Sequence, residues 1–82
     1  QNNSKSEITI YPNPSSGKFQ ISMRNIQDGE NFNLEVFNMQ GKQIYQSSNL
    51  VSEIELTNQP KGIYLLKIYD GQSVLFEKIF IQ

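Results

Sequence analysis

Three serines, one small acidic group and two lysines near the C-terminal end are the side chains here with chemistry to offer. Ser15, Ser16 and Ser73 all fall in turn-like stretches rich in Pro, Gly and Gln. A serine nucleophile needs a base to take its proton, and the chain has neither histidine nor cysteine. The strand pattern forces no pair of carboxylates together across a pocket, so no catalytic residue and no cofactor is expected. Asp28, Glu30 and Asn31 bring side-chain oxygens into one loop. Calcium takes about six to eight oxygens, more than this loop supplies. Without His and Cys the ordinary zinc sites are absent too, and no metal is expected. Lys67 and Lys78 sit in strand-like runs, where the common role of a lysine is to keep an exposed edge from pairing with another chain.

Composition narrows the class further. Eighty-two residues make one small domain. Apolar residues are 37% and charged residues 18%, which is neither a charged disordered tail nor a membrane span. The longest apolar run, Ile63 to Leu66, is far too short to cross a bilayer. A net charge of −1 without a basic cluster argues against nucleic acid and against anionic membrane surfaces. Gln1 to Glu7 is polar, does not look like a signal peptide, and reads as a linker entering a domain that spans 8–82.

The elements that position these side chains are all strands. Ile8–Tyr11 alternates, with Ile8 and Ile10 inward, until Pro12 and Pro14 withdraw two backbone donors and Gly17 permits a turn. Phe19, Ile21 and Met23 share one face of a second strand, and Asp28-Gly29 marks the next turn. Phe32, Leu34 and Val36 are the inward set of a third strand, and Asn38–Gly41 turns the chain into a fourth centred on Ile44. Ile54 and Leu56 mark a fifth, with Glu53 and Glu55 outward. No window keeps helical spacing for more than one turn.

The most emphatic signal is the closing hairpin, where two apolar runs flank Asp70-Gly71. Tyr64, Leu66 and Ile68 should face a core, with Lys67 toward water. A two-residue turn sets Leu66 opposite Leu75, and a three-residue loop sets it opposite Phe76. The second is preferred, because it also brings Ile68 opposite Val74 and leaves Glu77 on the Lys67 face. About seven short strands with turns every ~8–12 residues predict an all-β, immunoglobulin-like sandwich of two antiparallel sheets. Its core should hold Phe19, Ile21, Phe32, Leu34, Val36, Ile54, Leu56, Tyr64, Leu66 and Ile68.

Three segments also resemble a known family. Tyr11 to Gly17 (YPNPSSG) is similar to the YPNPxxG motif that opens the type A C-terminal sorting domains of the type IX secretion system, the Por secretion system family. Val36 to Lys42 (VFNMQGK) resembles that family's middle motif. Gly62 to Lys67 (GIYLLK), with Gly71 and Lys78-Ile79, resembles its closing motif. The three occur in family order, and the resemblance spans Ile8 to Gln82. It implies a secretion signal carried by Pro12, Asn13, Pro14, Gly17, Gly41, Gly62, Tyr64, Lys67, Gly71, Lys78 and Ile79.

The resemblance also implies partners. They are a cargo domain ahead of Gln1, the type IX machinery of Bacteroidetes-type bacteria, and a sortase-like protease that cuts in the linker. The cargo passes through the periplasm to the cell surface or beyond. The competing class is a carbohydrate-binding or adhesive module, for which Tyr11, Tyr45 and Tyr69 have outward parity and would form a stacking platform.

Overall fold

The computed structural model describes residues 7–24 and 31–82. The linker up to Ser6, the Asp28-Gly29 turn, and Asp28 and Glu30 of the acidic group lie outside the described residues. Seven strands follow one another: β1 (Glu7–Tyr11), β2 (Lys18–Arg24), β3 (Asn33–Phe37), β4 (Gln43–Ser47), β5 (Glu53–Glu55), β6 (Gly62–Tyr69) and β7 (Val74–Ile81). They form a three-stranded sheet in the order β1-β2-β5 and a four-stranded sheet in the order β4-β3-β6-β7. Every pairing between strands is antiparallel. First, second and fifth strands in one sheet and third, fourth, sixth and seventh in the other is the strand partition of an immunoglobulin-like sandwich.

Alternation decides what lies between the sheets. All ten expected core side chains are buried, and Ile10, Ile79 and Ile81 join them. Ile8 and Met23 pack partly buried at the margin. Tyr64 adds a feature of the sandwich class: near the start of the sixth strand, its hydroxyl donates to the carbonyl of Pro60, tying the β5–β6 connection to the core.

Two register expectations are corrected. In the hairpin Leu66 stands opposite Glu77, Ile68 opposite Leu75, and Tyr69 opposite Val74, which leaves a loop of residues 70–73. The cause is the side chain of Asp70. Its Oδ1 accepts the N–H groups of Gln72 at 2.9 Å and Ser73 at 2.7 Å, while its own N–H donates to the Ser73 carbonyl at 3.1 Å. A carboxylate that takes the place of a backbone acceptor makes Asp70 the first corner of the turn instead of its centre. The strand after it therefore slips, and Ile79 and Ile81 enter the core while Glu77, not Lys78, takes inward parity. In β4 the pairing shifts between Val36 and Phe37, so that Tyr45 lies opposite the buried Val36 and packs partly buried against the core. A bulge of this kind inverts the parity of all that follows it.

Pairing also fixes the two ends of the sandwich. β1 and β2 are joined through 12–17 at the end where Gly62 meets Ile81 and Phe37 meets Leu65. Glu7 and Arg24 are paired at the other end, with an ion pair of 3.7 Å between their side chains.

Candidate functional site

The opening motif is a clamp on the last strand. Tyr11–Pro12 and Asn13–Pro14 are cis, and both prolines are exposed. Between them, Asn13 turns its carboxamide onto β7. Its Nδ2 donates to the Lys78 carbonyl at 3.0 Å, and its Oδ1 accepts the Phe80 N–H at 2.9 Å. Ser15 continues the contact by backbone alone, donating to the Phe80 carbonyl at 3.0 Å and accepting from the Gln82 N–H at 2.8 Å. This is a single parallel bridge between Ser15 and Ile81. The Ser15 hydroxyl is used inside the turn: it accepts from the Gly17 N–H at 3.0 Å and donates to the Lys18 carbonyl at 2.6 Å.

Gly17 closes the motif at a point of close approach. Its φ is +126°, and a Cβ there would lie 2.8 Å from the Thr57 Cα. Its carbonyl also accepts the Leu56 N–H at 2.6 Å. Only glycine fits a position that is both left-handed and against another backbone.

The middle motif is a tight turn made by Asn38. Its Oδ1 accepts the N–H groups of Gln40 at 3.0 Å and Lys42 at 2.9 Å, and its own N–H donates to the Lys42 carbonyl. Gly41 occupies the left-handed position, with φ +84° and open space around it. The result is a rigid loop with Met39 at its tip, 69% exposed.

The closing motif divides between core and surface. Tyr64 and Ile79 are buried partners across β6 and β7. Gly62 opens β6 opposite Ile81, and Gly71 lies in the β6–β7 loop. Lys67 points outward, half-buried, with Nζ 3.8 Å from the Glu35 carboxylate. Lys78 is exposed beside Leu65 and forms no ion pair among the described residues.

These pieces meet on the outer face of the four-stranded sheet. A groove of about 380 Å³ runs between the middle-motif turn and the hairpin, lined by Phe37, Met39, Gly41, Ile63, Leu65 and Lys78. A second depression of about 320 Å³ lies on the other side of Met39, against Pro60, Lys61 and Gly62. Asn13 holds the backbone carbonyl of Lys78 while the Lys78 side chain lines the groove, so all three motifs meet at one residue at one end of the domain.

The profile of the secretion system C-terminal sorting domain family matches residues 9–82. This chain belongs to that family. A comparison with curated proteins found no match. The sorting domain is thus a type IX secretion signal, and the signal implies export across the envelope.

The Ser15 hydroxyl is committed to two backbone bonds. Among the described residues, no group of three or more carboxylates could hold a metal ion. The tyrosine platform does not form. Tyr11 stands on the edge strand β1 of one sheet, Tyr69 on the outer face of the other, and Tyr45 turns toward the core. Ser15 and Asp70 are the positions that matter most to the site's geometry beyond the motif residues. The only sequence signal for them is a small polar residue inside a Pro- or Gly-containing turn.

Proposed function

We infer that the domain is read in its folded form, and that the type IX machinery contacts the end where the three motifs meet. The convergence on Lys78 carries this reading. A linear tag would need no clamp between segments 65 residues apart, whereas a folded tag must hold its scattered residues in one surface. Gly17, Gly41, Gly62, Gly71, Tyr64 and Ile79 keep the shape. Asn13 and Ser15 tether the final strand, Pro12 and Pro14 flank Asn13 in the turn, and Lys78, with Met39 and Leu65 beside it, meets the receptor. Lys67, on the same outer face, contributes a second cation.

The sorting domain occupies 8–82, and residues 1–7, the last of which already lies in β1 and pairs with Arg24, form its junction with a preceding cargo. A sortase-like protease cuts in that junction after export, and the cargo then stays at the surface or is released. Glu7 supports this arrangement, since it enters at the end opposite the motif turns. Cargo and recognition surface then do not compete for space.

The test uses an inert reporter behind a signal peptide and ahead of this domain, in a host with type IX machinery. Lys78→Ala and Met39→Ala domains that melt like the parent are expected to leave the reporter in the periplasm. Normal export of both would show that the motif end is not the contact surface.

A further inference from the structure

Four strands are sheet edges: β1 and β5 in one sheet, β4 and β7 in the other. An edge offers unpaired backbone groups, and folded proteins blunt it with short length, charge, a bulge or a covering segment. β5 is three residues long with a glutamate at each end. β4 is polar at Gln43, Gln46 and Ser47 and lies across the bulge. β1 is five residues long and begins at Glu7. β7 spans eight residues and is covered at one end only, where Asn13 and Ser15 satisfy the Lys78 carbonyl, both polar groups of Phe80, and the Gln82 N–H.

Those bonds reveal which residues of β7 aim their backbone off the edge: the even-numbered ones. By the same alternation the N–H and C=O of Val74 and Phe76, and the N–H of Lys78, point away from β6. No described residue bonds to them there. Their side chains stand on the outer face, Val74 46% and Phe76 56% exposed, with Lys78 beside them and without an ion-pair partner.

We propose that the β7 edge from Val74 to Lys78 is a strand-docking site for an extended segment of the export machinery. The segment runs antiparallel to β7, lays apolar side chains against Val74 and Phe76, and sets a carboxylate opposite Lys78. Backbone bonds supply affinity in strand addition and alternate side chains supply specificity. Asn13 marks where the docked strand must stop.

Charge decides against a second copy of this chain as the occupant. Antiparallel pairing of two β7 edges sets edge-pointing residues opposite one another, even-numbered against even-numbered. Lys78 then meets Val74, Phe76, Phe80 or another Lys78 and never Glu77, so its charge stays unmatched. A separate segment that carries an acidic residue opposite Lys78, and a basic one beside Glu77 on the other face, matches both. The identity of the partner rests on the sorting reading above; the docking edge itself does not.

The probe is the blocked peptide Thr-Asp-Lys-Val-Thr-Val-Thr, whose Asp falls opposite Lys78 and whose two Val fall opposite Phe76 and Val74. Saturable binding is expected, with amide-exchange protection gained at Val74, Phe76 and Lys78. Exchanging Asp and Lys in the peptide sets like charges opposite both Lys78 and Glu77 and should weaken binding at least tenfold. Phe76→Pro removes an outward N–H that the β6 ladder does not use, so it should block docking in a folded domain. Phe76→Lys, which keeps that N–H, sets a charge in place of the apolar contact with the peptide's valine and should weaken binding at least tenfold should the proline variant fail to fold. Absence of saturable binding, equal binding of the exchanged peptide, or undiminished binding by the folded variants overturns the docking edge. In the reporter assay, export of the parent with periplasmic retention of a folded Phe76 variant supports the machinery as partner. Export of both overturns strand docking by the machinery alone, while failure of the parent itself overturns the sorting reading.

Discussion

The backbone N–H of Phe80 donates to the side-chain Oδ1 of Asn13 at 2.9 Å across 67 residues of chain. With the second bond from Nδ2 to Lys78, the carboxamide acts as one peptide group of an eighth strand. Asn13→Ala removes both bonds and should cost roughly 1–3 kcal/mol. Thermal unfolding measures the loss, and amide exchange at Phe80 should accelerate more than exchange at Ile68.

Gly17→Ala meets two obstacles at once. The added Cβ falls 2.8 Å from a backbone atom of Thr57, which has no flexible end to yield, and the φ of +126° is hostile to any side chain. Destabilisation of about 1–3 kcal/mol is expected from the backbone strain alone. A melting temperature equal to the parent's would show that the 56–57 segment can move away.

The Tyr64 hydroxyl is a separable contribution. Tyr64→Phe keeps the ring in the core and leaves the Pro60 carbonyl without its donor. A loss of about 1 kcal/mol is expected, whereas Leu66→Ala, which empties part of the core, should lose about 2–5 kcal/mol. The ratio of the two, read by denaturant unfolding, separates the corner from the packing.

The core was legible in the sequence because a single period governs each strand: all ten expected positions are buried. What the period cannot encode is where it restarts. Asp70 resets the hairpin by lending a side-chain oxygen to the turn, and the bulge beside Val36 resets β4, so Glu77 and Tyr45 changed faces together with their strands. The three motifs were also legible as separate segments. Their convergence was not, because the bonds from Asn13 and Ser15 to β7 join the two ends of the chain and leave no local pattern.

Lys78 separates stability from recognition. Its side chain is exposed and unpaired among the described residues, so Lys78→Ala should change stability by no more than about 0.5 kcal/mol. Lys67→Ala loses only a part-exposed pair and should behave alike. A large drop in melting temperature for Lys78→Ala would mean that the residue serves the fold.

The central claim is that residues 1–82 suffice as a folded type IX sorting signal. The most direct measurement is the surface-exposed fraction of a signal-peptide-bearing reporter fused ahead of residues 1–82. It is compared between a host with type IX machinery and the same host lacking the outer-membrane translocon. The account predicts reporter at the surface or in the medium of the first host and trapped in the periplasm of the second. Periplasmic reporter in both hosts, with the attached domain folded, would contradict it.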